Sequence, residues 1–400
     1  MFKKLLFTAC FFCLTFTFSQ NYKLSPDTEI SIITVGPGNS LNDAFGHNAI
    51  RIQDASGRLD VCFDYGRFDF DAPNFYLNFA RGKLNYSIGA VNYYDFIRFY
   101  EWQNRTVEEQ KLNLNQEQKQ KLYEYLVNNY KPENRNYLYD FFYDNCATKI
   151  KEVLDIATNN ALKYNNPKDF KAETFRTLIQ NKLNRNSWGS LGIDVALGSV
   201  IDQKATPEEH MFLPSFIHAF FDVATFKSSN EPLVKESNTV YKEKPTPKSG
   251  NFFLSPLFVF GIIGVLILFI TYKDFKKNQR TKSLDIILFL LTGIIGALIV
   301  LLWFATDHKA THQNYNLLWA CVLNLLVIKQ VFKTRISPWF IKYLKFLVIL
   351  LCLLTLHWVI GVQIFAIGLI PFLVALFIRY IYLIKYYNQH LLPSEVEQGR

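Results

Sequence analysis

Between residues 252 and 383 the chain runs through five apolar stretches, 252–272, 284–304, 316–332, 344–362 and 364–383. A bilayer core asks for about 20 consecutive apolar residues from a helix. It also requires that every backbone polar group be satisfied inside the segment. The expectation is an all-α transmembrane domain of about five helices over 252–385, with a cytoplasmic tail over 386–400. The third stretch is the shortest. The stretch 273–282 carries Lys273, Lys276, Lys277, Arg280 and Lys282 against Asp274, and 329–345 carries Lys329, Lys333, Arg335, Lys342 and Lys345. Their excesses of +4 and +5 together equal the +9 of the whole chain. The basic character is therefore that of cytoplasmic loops obeying the positive-inside rule, and no nucleic-acid partner is implied. The segment 305–315 and everything before residue 252 then face the periplasm, on an inner-membrane, multi-pass protein.

Residues 1–19 read as a secretory signal: Lys3 and Lys4, an apolar run over 5–18, and small Thr17 and Ser19 before Gln20. An uncleaved anchor is the alternative, disfavoured because the run is short for a span. Residues 20–226 read as an α+β periplasmic domain, and 227–251 as a polar linker with Pro232, Pro245 and Pro247. Cys10 and Cys13 leave with the signal, and Cys321 and Cys352 sit in apolar spans. Cys62 and Cys146 alone remain in the periplasmic part. Two cysteines build no metal cluster, and no cofactor motif accompanies them. A Cys62–Cys146 disulfide is the inert alternative in an oxidising compartment.

Strand signals cover 29–35, 49–52, 59–65 and 83–91, and helical signals cover 116–129, 147–158 and 172–181. The Phe-rich segment 211–226 fits either a core helix or a helix resting on the bilayer. If Ala55-Ser56 is a two-residue turn, Ile50 faces Val61 and Ile52 faces Leu59 on one side of the sheet. Arg51 then faces Asp60, Ala49 faces Cys62 and His47 faces Asp64 on the other. A one-residue shift through a bulge at Gly57 would set Tyr65 against His47 instead. The first register separates apolar from charged residues, so Asp64 is the expected partner of His47.

In YDFFYDNCATKIKEVLDIA, Asp144 or Asn145 can cap a helix whose inward stripe is Ile150, Val153, Leu154 and Ala157. Cys146 falls in its first turn, where the helix dipole favours a thiolate and a distant histidine can act as base. Cys146 also lies four residues before Ile150, so a merely structural cysteine is the competing reading. His47 gains weight only in company with it.

The segments TVGPGNSLNDAFGHNAIRI, DYGRFDFDAPNFYLNFARGKLNYSI and YLYDFFYDNCATKI resemble the N-terminal periplasmic domain of the Lnb-type lipoprotein N-acyltransferases. The resemblance covers most of residues 28–226. The membrane half resembles that family as well, including the outer segment TDHKATHQNYNLLW. The resemblance implies a permuted papain-like fold, related to NlpC/P60-like cell-wall hydrolases, in which the His strand precedes the Cys helix. It implies Cys146 as nucleophile and His47 as its base, leaving the orienting residue unassigned; Asp64 rests on the strand register alone. The implied reaction carries an acyl chain from a phospholipid donor, through a Cys thioester, to the α-amine of a diacylated lipoprotein acceptor. Asn145, Tyr65, His308, His312 and Asn314 are the candidates for contact with substrate at the interface. For His308 and His312 an interfacial polar loop is the reading, over a metal site lacking a third ligand. The competing functions are a membrane-tethered peptidoglycan amidase or endopeptidase, with water replacing the amine, and a non-catalytic periplasmic sensor or assembly protein. The oligomeric state is not indicated.

Overall fold

The computed structural model describes residues 22–69, 71–245, 251–333 and 336–390. The signal assigned to 1–19 and the tail beyond residue 390 lie outside the described residues. The periplasmic half is built on a seven-stranded antiparallel sheet of β1 (Glu29–Val35), β2 (His47–Asp54), β3 (Leu59–Arg67), β4 (Asn85–Asn92), β5 (Val107–Leu112), β6 (Asn136–Leu138) and β9 (Val234–Tyr241), ordered β6-β4-β3-β2-β1-β5-β9. The short strands β7 (Leu162–Lys163) and β8 (Thr225–Phe226) pair separately. Helices α1 (Phe75–Ala80), α2 (Tyr93–Trp102), α3 (Gln116–Tyr130), α4 (Cys146–Ala157), α5 (Phe175–Gln180), α6 (Trp188–Ala196) and α7 (Pro214–Asp222) complete it.

Side-chain alternation explains the layers. Ile50, Ile52, Phe63 and Tyr65 point into one core with Ile150, Val153 and Leu154 of α4 and Ile217, Phe220 and Phe221 of α7. Ala49 and Cys62 point the other way, into a second core with Phe96, Ile97 and Tyr100 of α2. Both faces of the sheet are thus covered, including the one expected to carry the charged residues. The Phe-rich segment resolves into the core helix α7, since Ile217, Phe220 and Phe221 are all buried.

Three expectations are corrected. First, the β2–β3 register is shifted by two residues: Ile50 pairs with Phe63, Arg51 with Cys62 and Ala49 with Asp64. The turn is four residues long because Asp54 Oδ1 takes the Ser56 N–H at 3.1 Å and the Ser56 hydroxyl at 2.7 Å, while Arg58 adopts a left-handed conformation. A shift of two preserves the faces. Second, the linker contains structure: Val234–Tyr241 is the edge strand β9, zipped to β5 with Lys111 bridging Glu29 and Glu236. Its polar side chains suit an exposed edge.

Third, among the described residues the membrane half holds four continuous helices long and apolar enough to cross: α8 (Pro256–Lys277), α9 (Lys282–Phe304), α10 (Pro338–Val359), and Ile367–His390, a 3-10 turn leading into α11 (Ile370–His390). Helix α11 runs five residues past the expected tail boundary at 385. The remaining apolar stretch is not one helix. It is a 3-10 turn at Tyr315–Leu318 followed by short helices Leu323–Leu326 and Ile328–Phe332. The chain still runs here from one end of the bundle, where Asn316 Nδ2 donates to the Asp194 carbonyl, to the other, where the Val331 carbonyl takes Arg280. Irregular backbone at membrane depth must be buried in protein. Asn324, fully buried, donates to Thr292 Oγ1 at 2.7 Å and accepts the Tyr343 hydroxyl at 2.6 Å. At the end of the bundle where the Val331 carbonyl takes Arg280, Arg379 is buried between Asp274 and Asp285, each at 2.7 Å.

Candidate active site

The site lies where β2 begins, β3 ends and α4 begins. Gly46 precedes His47 with φ of +86°, and a Cβ there would sit 2.7 Å from the Val35 carbonyl oxygen, so only glycine turns the chain into β2. Asn145 caps α4: its Oδ1 accepts the N–H groups of Ala147 at 2.8 Å and Thr148 at 3.0 Å. Thr148 Oγ1 returns a bond from the Asn145 N–H, the reciprocal arrangement of a capping box. Lys149 N–H begins the helical ladder at the Asn145 carbonyl. Among the described residues, the first-turn N–H left over is that of Cys146 itself.

The Cys146 thiol lies beside the His47 ring and the Asn48 backbone N–H, both of which favour its ionised form. His47 Nε2 lies 3.1 Å from Asp64 Oδ2, which leaves Nδ1 for the sulfur. Asp64 Oδ1 takes the Arg67 guanidinium through Nε at 2.8 Å and Nη2 at 2.7 Å. Residues three apart on a regular strand face opposite sides. The bulge between Tyr65 and Arg67, with Gly66 at φ +97°, brings Arg67 back to the side of Asp64. Gly89 on β4 leaves the space its guanidinium fills.

Burial opposes charge on the thiol, but the His47 charge, the His47 hydrogen bond and the Asn48 N–H outweigh it, so Cys146 is held below the usual thiol range. Burial likewise works against the imidazolium. Tyr100, Cys146 and Asp64 overcome it and hold His47 well above the usual imidazole value. Burial of Asp64 is outweighed by His47 and Arg67, which keep its carboxyl below the usual range. Both directions act toward thiolate beside imidazolium. Cys62 offers the contrast: buried and pushed up by that burial, it is a free thiol, as is Cys146, so no disulfide joins them.

Cys146 and His47 open into a cavity of about 630 Å³ walled largely by aromatic and aliphatic side chains, among them Phe45, Phe141, Phe212 and Ile193. One wall is membrane-half sequence, residues 307–311. That loop is docked onto the periplasmic domain: Asp307 N–H donates to the Arg81 carbonyl at 2.9 Å, and Gly198 N–H to the Ala310 carbonyl at 2.9 Å.

The structure brings Cys146, His47 and Asp64 together and separates the others. Tyr65 backs the cavity wall, but its hydroxyl points away and donates to Asn129 at 2.6 Å. Asn145 has its side chain committed: Nδ2 donates to the carbonyls of Phe141 and Phe212, so it holds the cap and not a substrate. His308 is on the cavity rim, its Nε2 donating to the Phe79 carbonyl at 2.9 Å. His312 is not among the cavity-lining residues. Asn314, nearly fully buried, donates to the Val195 and Ala196 carbonyls and fastens the two halves of the molecule together. Sequence reasoning missed Arg67 and Tyr100. The signal available for Arg67 was the glycine between it and Asp64, which permits a bulge.

Comparison with protein families matches residues 18–181 to the Lnb N-terminal periplasmic domain and residues 248–390 to the Lnb transmembrane domain. No curated protein and no solved structure matches the chain.

Proposed function

Since this chain belongs to the Lnb family, with both of that family's domains in order along it, we propose that it is a lipoprotein N-acyltransferase of the inner membrane, working on its periplasmic side. The observation that carries this reading is a polarised thiol–imidazole pair facing an apolar cavity closed by a loop of the transmembrane half. A cavity of that lining suits a fatty chain, and its position suits a chain arriving from a bilayer.

The chemistry follows from the residues. The Cys146 thiolate attacks an ester carbonyl of a phospholipid, and the Cys146 N–H is placed at the helix start to stabilise the oxyanion. As the C–O bond breaks, His47 gives its proton to the departing lysophospholipid, leaving a thioester on Cys146 and a neutral imidazole. The α-amine of the N-terminal cysteine of a diacylated lipoprotein then attacks the thioester carbon. His47 takes the amine proton, the C–S bond breaks, and the amide product leaves the thiolate–imidazolium pair restored. Asp64 orients the ring through Nε2 and stabilises its charge, and Arg67 fixes Asp64.

The test is incubation of the purified full chain with phospholipid, followed by intact mass and hydroxylamine lability. Expected is one acyl group on Cys146, none on a Cys146→Ser protein, and transfer of that group to a diacylated lipopeptide. Acyl release to water alone, or cleavage of peptidoglycan fragments, would favour the hydrolase reading instead. Retention of cellular function by Cys146→Ser would favour a non-catalytic role.

A further inference from the structure

A second cavity, of about 460 Å³, adjoins the thiol cavity and shares Phe68, Phe75, Phe79 and Leu84 with it as a common wall. Its character is the opposite. Arg67, Lys83 and Arg135 line it together with the amide and hydroxyl side chains of Asn78, Asn85, Ser87 and Asn136. Among the described residues Asp69 is the lone carboxylate in its lining, and its Oδ1 accepts the Asp71 N–H at 2.9 Å. Arg67 is engaged with Asp64. Among the described residues neither Lys83 nor Arg135 has an ion-pair partner.

Three cations and a set of amide donors around one small space make a site for an anion with several oxygens. Its location narrows the source. The turn at Arg81-Gly82, immediately before Lys83, is the one on which Asp307 and His308 of the outer membrane loop are docked; a Cβ at Gly82 would lie 2.7 Å from the His308 nitrogen. The anion site is therefore at the level where the membrane half emerges. Helix α1 borders both cavities and buries none of its own side chains, with Tyr76 and Leu77 exposed to the surroundings.

We propose that this second cavity receives the phosphate of the phospholipid donor, with Lys83 and Arg135 as its principal ligands, while one acyl chain crosses the shared aromatic wall toward Cys146. The assignment deepens the acyltransferase reading and rests on it. It also separates the two substrates, because the diacylglyceryl group of a lipoprotein carries no phosphate and has no use for this site.

Binding of an ether-linked phospholipid tests the site without involving the thiol, because the lipid holds no carboxylic ester for the thiol to attack. The full chain in neutral detergent is titrated with ether phosphatidylglycerol, with the corresponding ether diglyceride, and with inorganic phosphate. In Lys83→Gln/Arg135→Gln the phospholipid is expected to bind about tenfold or more weakly, the loss of two charge-assisted contacts. The diglyceride, lacking phosphate, is expected to bind the double variant and the natural protein alike. Added salt should weaken phospholipid binding to the natural protein more than to the variant. Equal weakening of both lipids, or of neither, overturns the proposal. Inorganic phosphate displacing the phospholipid at concentrations as low as the lipid's own would overturn the lipid assignment in favour of a free-anion site. Failure of S-acylation with normal ether-lipid binding would sink the thioester chemistry and leave this site standing.

Discussion

Asp64 reaches His47 along a diagonal of the β2–β3 ladder: Asp64 pairs with Ala49 across the strands, yet its Oδ2 lies 3.1 Å from His47 Nε2. Arg51 and Asp60 repeat the relation four residues further along, with Nε to Oδ1 at 2.8 Å although Arg51 pairs with Cys62. The diagonal leaves the second Asp64 oxygen free for Arg67, so the carboxylate is fixed from two sides before it fixes the ring.

Asp64→Asn is expected to lower the rate of Cys146 acylation by about a hundredfold while the protein remains folded. The sign of the pH effect is set by which species acts. In the proposed mechanism the active pair is thiolate with imidazolium, present above the depressed thiol pKa and lost as pH rises through the raised His47 pKa. Asp64 is one of the groups raising the latter. The alkaline limb of the acylation profile should therefore move to lower pH in the variant. An unmoved limb would mean that Asp64 does not tune the ring.

Gly89→Ala should act at a distance from the thiol. A Cβ at residue 89 occupies the space of the Arg67 guanidinium, a flexible group that can swing to solvent at little cost to the fold. The expected result is the same loss of acylation rate as in Arg67→Ala, of about tenfold for a charge-assisted contact to a buried carboxylate. The double variant should be no worse than either single one, since both remove the same interaction. Additive losses in that cycle would place the effect of Gly89 elsewhere.

What could be read in the sequence follows from which signals are local. The Cys146 helix was legible because its cap, its cysteine and its apolar stripe all lie close together in sequence. The faces of β2 and β3 were legible because alternation survives a shift of two. The register itself was not, since it depends on Asp54 drawing Ser56 into a longer turn. Arg67 was hidden because the bulge reverses parity, and no count of residues from Asp64 reveals that. Strand β9 was hidden by its polar composition, which an exposed edge shares with a linker. Asn314 and Asn145 drew attention as polar residues near the site, but their partners are backbone carbonyls brought in from distant segments.

Arg176 is another place where charge is buried. Its guanidinium is fully enclosed, 3.0 Å from Asp194 and 2.9 Å from Asp202, and it also donates to the Leu197 and Gly198 carbonyls. Asp202 Oδ1 takes the Ile364 N–H of the membrane half, and the Asp194 carbonyl takes Asn316 Nδ2. Arg176→Met strands two carboxylates and should cost about 3–5 kcal/mol in unfolding free energy. Adding Asp194→Leu and Asp202→Leu should recover part of that loss. Unfolding in detergent by denaturant measures both, and a single variant as stable as the natural protein would show that the halves are held by their apolar contacts.

The broken crossing depends on two glycines of α9. A Cβ at Gly296 would lie 2.7 Å from the Val322 nitrogen, and one at Gly293 would lie 2.7 Å from Leu325 Cγ. In a bilayer, where hydrophobic burial does not drive helices together, such close approach supplies the packing. It also encloses the polar backbone left by the interrupted helix, and it brings Asn324 to Thr292. Gly296→Val must push the crossing away and expose those groups, so a destabilisation of about 3 kcal/mol is expected. At Gly261 in α8, by contrast, an added Cβ would meet no heavy atom within 4 Å outside the backbone of its own helix. Gly261→Ala should therefore leave stability unchanged or raise it by up to about 1 kcal/mol through helix propensity. Thermal unfolding of the two variants in the same detergent separates a packing role from a general intolerance of change. Equal behaviour of Gly296→Val and Gly261→Ala would remove the small-residue seam as the reason the chain can pass here without a continuous helix.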